Sequence, residues 1–108
     1  MILVIGGVCQ GKTEYVRANF PDRTIFDDFE DWFRRAMKEG EKPEDEVEKY
    51  MKEYPDAVII SDEVGGGIVP MEAFEREYRE RLGRCLTKIA AGSERVIRLY
   101  CGIATVIK

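Results

Sequence analysis

The 108-residue chain contains no histidine, and that absence removes every mechanism in which imidazole acts as nucleophile, general base or metal ligand. Cysteine is nearly as scarce. Cys9, Cys85 and Cys101 are an odd number and widely spaced, so they form neither a Cys/His zinc site nor a disulfide framework. That usage fits a reducing cytoplasm. Basic runs are missing too: 17 Lys and Arg are interleaved with 21 Asp and Glu for a net charge of −4, the wrong balance for a nucleic-acid partner. No apolar run approaches the roughly 18 residues of a membrane span. The opening Ile2-Leu3-Val4-Ile5 lacks the basic flank of a signal peptide and reads as a core strand. Repeats, linkers and low-complexity stretches are also missing, and with 44% apolar residues residues 1–108 are expected to form a single domain.

What the chain does have is a glycine-rich turn. Residues Gly6, Gly7, Val8, Cys9, Gln10, Gly11, Lys12 and Thr13 match the phosphate-binding loop pattern G-x-x-x-x-G-K-[ST] in full. An apolar strand precedes it and a segment able to be helical, Thr13 to Asn19, follows. Such a turn aims successive backbone N–H groups at one point, and the helix N-terminus adds partial positive charge. Lys12 can then reach the β- and γ-phosphates of ATP or GTP, and the Thr13 hydroxyl can hold Mg²⁺. Cys9 is most simply a small residue filling a loop position; a lowered thiol pKa at the helix N-terminus is the alternative.

Periodicity orders the rest. Arg23 to Phe26 reads as a short strand, and Phe29, Trp32, Phe33, Ala36 and Met37 fall on one helical stripe ended by Gly40. Pro43 opens another helix, with Val47, Tyr50, Met51 and Tyr54 on its stripe. The acids of these two helices read as solvated faces. Ala57 to Ser61 is a buried strand, and Met71 to Ala91 is the longest helix. Along it Glu72/Arg76, Glu75/Arg79, Glu77/Arg81 and Glu80/Arg84 are favourable i,i+4 pairs. Arg95 to Tyr100 and Ile103 to Ile107 are the closing strands. The order β-α-β-α-α-β-α-β-β predicts an α/β fold of the three-layer P-loop nucleotide-hydrolase-like kind. Its sheet has about five strands, mostly parallel, with an antiparallel C-terminal edge.

Ligands of open α/β sheets bind beyond the C-terminal ends of the strands. Two acidic pairs stand there: Asp27-Asp28 after Ile25-Phe26, and Asp62-Glu63 after Val58 to Ser61. One of Asp27 and Asp28 is expected to cap the next helix, leaving the other for Mg²⁺. No amphipathic helix begins before Met71, so capping does not explain Asp62 and Glu63. Carboxylates so placed can hold a metal through water or accept the proton of an attacking hydroxyl.

The segment Ser61-Asp62-Glu63-Val64-Gly65-Gly66-Gly67-Ile68-Val69-Pro70 resembles the SNEVGxGIVP segment of the bifunctional adenosylcobinamide kinase and adenosylcobinamide-phosphate guanylyltransferase family of cobalamin biosynthesis. Tyr78 to Arg84 resembles that family's FRDxxGR, Leu99 to Ile103 its closing strand and VxGI, and GGVCQGKT its GGARSGKS. The resemblance covers residues 1–20 and 57–108 well and the middle poorly. Full members carry, after the first helix, a segment whose histidine takes up GMP; Arg23 to Glu53 stands in that place here. Without histidine no histidyl–nucleotide intermediate can form.

The resemblance implies a kinase half-reaction, in-line transfer of the ATP or GTP γ-phosphoryl group to the aminopropanol hydroxyl of adenosylcobinamide. In that scheme residues 6–13 hold the nucleotide, and Thr13 with Asp27 or Asp28 holds Mg²⁺. Lys12, Asp62 and Glu63 are the catalytic set, with Glu63 positioning or deprotonating the acceptor. Gly65-Gly66-Gly67 would let the loop fold over substrate, or serve only as a tight turn. The resemblance also implies a homo-oligomer with sites between subunits. The alternative is a nucleotide-binding remnant without catalysis, regulatory or partner-dependent; a different phosphoryl transfer or a hydrolase activity is the third reading.

Overall fold

β1 (Ile2–Gly6) takes the centre of the sheet because every one of its residues except Ile5 is buried. In the computed structural model, which describes residues 1–63 and 72–108, a strand pairs with it on each side. β3 (Val58–Asp62) runs parallel to it with Ile2 opposite Val58, and β4 (Arg95–Tyr100) runs parallel with Ile2 opposite Arg95. β2 (Ile25–Phe26) adds a short parallel edge beside β3, and β5 (Ile103–Val106) an antiparallel edge beside β4. The order is β2-β3-β1-β4-β5. The fold is therefore the expected three-layer α/β arrangement, with an antiparallel edge where the sequence puts it. Cys101 and Gly102 make the last reversal, both at positive φ (50° and 74°), as the tight type I′ hairpin turn requires.

Alternation along β1 sends its side chains to two cores. Ile2 and Val4, with Val58, Ile60, Ile97 and Leu99, pack under Val16 of α1 (Lys12–Asn19). Leu3, with Ile59 and Val96, packs under the other three helices: α2 (Phe29–Lys38), α3 (Pro43–Glu53) and α4 (Ala73–Gly92). Phe29 and Phe33, one turn apart on α2, are fully buried, as are Leu82 and Ile89 to within a percent on α4. Parallel strands buried on both faces account for the unbroken apolar runs.

Ion pairs lock the helices to one another. Arg81 of α4 grips Glu44 of α3 with two hydrogen bonds, 2.8 and 2.9 Å, and this bond holds the Glu44 carboxyl below its usual range. Glu77/Arg81 and Glu80/Arg84 pair along α4 at 3.6 and 2.6 Å. Glu75 meets Arg34 of α2 through both oxygens, because tertiary packing brings a guanidinium fork to it. Val64 to Pro70, and with them the glycine run, lie outside the described residues, as does Met71. No helix among the described residues is long and apolar enough to cross a membrane.

Candidate phosphate-binding site

The turn after β1 is held by backbone geometry that its sequence anticipates. Gly6 faces the β4 backbone so closely that an added Cβ would stand 2.6 Å from the Leu99 carbonyl oxygen. Cys9 (φ 59°) and Gly11 (φ 82°) are left-handed, and Gly11 occupies the N-cap of α1. The β4–β5 turn steadies the loop: the Gly102 N–H donates to the Gln10 carbonyl at 3.2 Å, and the Cys101 N–H donates to the Gln10 side-chain oxygen. Cys9 and Cys101 are exposed, whereas Cys85 is buried and all three are free. Burial pushes the Cys85 thiol up to about 11, as expected of an inert core residue.

The side chains converge from three strand ends. Lys12 is 9% exposed; its ammonium donates to the Gly7 carbonyl at 2.6 Å and pairs with Asp62 Oδ1 at 2.7 Å. The Thr13 hydroxyl donates to Asp27 Oδ2 at 3.0 Å, and the other Asp27 oxygen accepts the Asp28 N–H at 2.8 Å. Asp28 sits at the N-cap of α2 in the left-handed region, and its side chain makes no capping bond. Its carbonyl accepts the Asp31 and Trp32 N–H groups, both at 3.1 Å. The pair divides in position, Asp28 at the cap and Asp27 facing Thr13, but the expected side-chain cap is not made. Lys12, Thr13, Asp27 and Asp62 line one pocket of about 270 Å³.

Glu63 stands elsewhere. Its N–H donates to the Gly6 carbonyl at 2.8 Å, but its carboxylate meets Arg98 of β4, 3.1 Å away. Consecutive residues of a strand point to opposite faces. Asp62 therefore joins Lys12 on the α1 face, while Glu63 and Arg98 line a groove against Leu86 and Thr87 of α4.

One residue of the site was hidden in the sequence. Glu30, in the first turn of α2, was expected on a solvated face; it lines the same pocket as Lys12 and Asp62. Its Oε2 is buried and has no hydrogen-bond partner among the described residues. Burial, with the Asp62 charge adding to it, pushes the Glu30 carboxyl up to about 7. The Tyr78 hydroxyl of α4 donates to the Glu30 carbonyl at 3.0 Å, fixing this turn; burial pushes that phenol up to about 12. The only sequence signal was its place three residues after Asp27, on the helical turn that follows the β2 strand end.

Among the described residues no group of three or more His, Cys, Asp or Glu side chains is arranged to hold a metal ion. Thr13 and Asp27 offer two hard oxygens. That suits Mg²⁺, which binds through one or two protein oxygens and completes its shell with water and substrate phosphates.

No curated protein matches the chain. A family model described as cobinamide kinase / cobinamide phosphate guanyltransferase matches residues 13–107, from the last residue of the glycine-rich turn through all four helices except the first residue of α1. With that match over most of its length, and with the sheet order and loop it folds into, the chain belongs to the cobinamide kinase / cobinamide phosphate guanyltransferase family of cobalamin biosynthesis.

Proposed function

We propose that the chain binds the triphosphate of Mg²⁺-ATP or Mg²⁺-GTP on the β1–α1 loop. It then transfers the γ-phosphoryl group to an alcohol, the aminopropanol hydroxyl of adenosylcobinamide, without guanylyl transfer. The observation that carries this is the convergence of Lys12, Thr13, Asp27 and Asp62 on one pocket beside the loop. Backbone N–H groups of residues 7–13 and the α1 N-terminus favour an anion there. Lys12 is preset: Asp62 and the Gly7 carbonyl hold its ammonium at the pocket, and an incoming phosphate competes for that charge. Thr13 and Asp27 would hold Mg²⁺, which supplies neutralisation of charge on the β- and γ-oxygens. Lys12 adds a second positive charge where charge develops in the transfer. The chain has no histidine, which supports leaving the guanylyl half-reaction out. A reducing cytoplasm suits its free cysteines.

Binding of Mg²⁺-ATP and Mg²⁺-GTP is measured by calorimetry, followed by incubation with adenosylcobinamide and mass analysis for its phosphate. Lys12→Ala is expected to weaken nucleotide binding at least tenfold, the loss of about 1.4 kcal/mol or more. Asp27→Asn is expected to raise the Mg²⁺ concentration needed for half-maximal turnover. Tight binding without product would leave the non-catalytic nucleotide-binding reading in place of the kinase.

A further inference from the structure

Asp27, Asp62 and Glu63 at the strand ends are each engaged by a neighbour, and Glu30 beside them keeps one buried oxygen without a partner among the described residues. Asp62 is paired with Lys12, Asp27 accepts from Thr13 and from the Asp28 N–H, and Glu63 is tied to Arg98. The Glu30 backbone carbonyl accepts from Tyr78 of α4, which fixes the turn from which the side chain projects. A buried acceptor left unsatisfied is costly, and such a group in a native structure points to a catalytic role or to a bound water or ion. In its ionised form the carboxylate is repelled by the anionic acceptor oxygens of the triphosphate. The partner that completes the ionised form brings a donor.

We infer that Glu30 accepts a hydrogen bond from the acceptor alcohol and so positions it for the transfer proposed above, on which this inference rests. With the O–H directed to Glu30, the lone pairs of the hydroxyl oxygen are left to face the terminal phosphate held near Lys12. Both groups line the same pocket, so the alcohol is bound by the wall that α2 supplies. The α2 segment thereby contributes to acceptor recognition through Glu30. Glu63, held by Arg98 in the groove beside α4, does not fill that place.

The test compares wild type with Glu30→Gln, which keeps size and hydrogen bonding but turns one oxygen into a donor. Two acceptors are used: cobinamide, and an analogue with hydrogen in place of its aminopropanol hydroxyl. Binding is measured in the presence of Mg²⁺ and a non-hydrolysable ATP or GTP analogue. Wild type is expected to bind cobinamide about tenfold more tightly than the deoxy analogue, and Glu30→Gln, whose neutral amide oxygen is a weaker acceptor, to show a smaller preference. Phosphorylation of adenosylcobinamide is expected to lose about 100-fold in kcat/KM, with nucleotide affinity and Mg²⁺ dependence unchanged. Wild-type turnover that survives Glu30→Gln overturns the inference and leaves the kinase reading standing. A change confined to Mg²⁺ dependence overturns it in favour of a metal-side role. A wild type that binds nucleotide but neither binds nor phosphorylates the acceptor overturns both.

Discussion

Glu30 should make the native protein less stable in neutral and alkaline solution than it is in mild acid, and removing its charge should reverse that. Burial and the neighbouring Asp62 raise its carboxyl from 4.5 to about 7. Between those two pH values the folded chain holds the proton more often than the unfolded chain does. Stability therefore falls as pH rises through this window, is at its full value below about 4.5, and is lowest above about 7. At about 1.4 kcal/mol per pH unit the displacement sets a ceiling of a few kcal/mol. The side chain is only half-buried, so solvent screening reduces this to an expected penalty of about 1–2 kcal/mol.

Glu30→Gln carries no charge at any of these pH values and escapes the penalty. At pH 8 the variant should unfold about 5–10 °C above wild type, given the usual few degrees per kcal/mol for a domain of this size. At pH 4 the two should coincide. The assay is thermal unfolding by circular dichroism at intervals from pH 4 to 8, with urea titrations at both ends to convert the shift to free energy. Equal melting temperatures at pH 8, or a gap that widens toward acid, would refute the reasoning. A more stable variant that also loses transfer activity would show a site kept at a cost in stability.

Two further substitutions test the scaffold that presents the site. Gly6→Ala places a Cβ where the Leu99 carbonyl oxygen stands 2.6 Å away, so β4 must move. A loss of about 1–3 kcal/mol is expected by urea unfolding, together with weaker nucleotide binding because the loop begins at this residue. Phe33→Ala empties a fully buried position on α2 and should cost about 3–5 kcal/mol in the same titration. Losing less than 1 kcal/mol at Phe33 would mean that α2 is not packed on the sheet as described.

The sequence by itself determined the elements and their order. Helical stripes and two-sided apolar runs are local patterns, and Gly11, Cys101-Gly102 and Pro43 punctuate them through backbone preferences that need no distant partner. It determined the candidate phosphate site equally well, because a strand, a glycine-rich turn and a helix N-terminus form one contiguous local unit. Only the tertiary structure decided how the acids divide. Asp27 and Asp28 are neighbours in the chain, and the choice between them depended on where Thr13, fourteen residues away, lands. Asp62 and Glu63 part company because a strand alternates faces, so one meets Lys12 and the other Arg98. Glu75 had a partner within its own helix by spacing, and tertiary packing brings Arg34 of α2 to bond both its oxygens. Glu30 looked like any acid of a solvated helix face until α2 was laid against β3 and α4. Burial is a property of the whole packed chain, and no single segment encodes it.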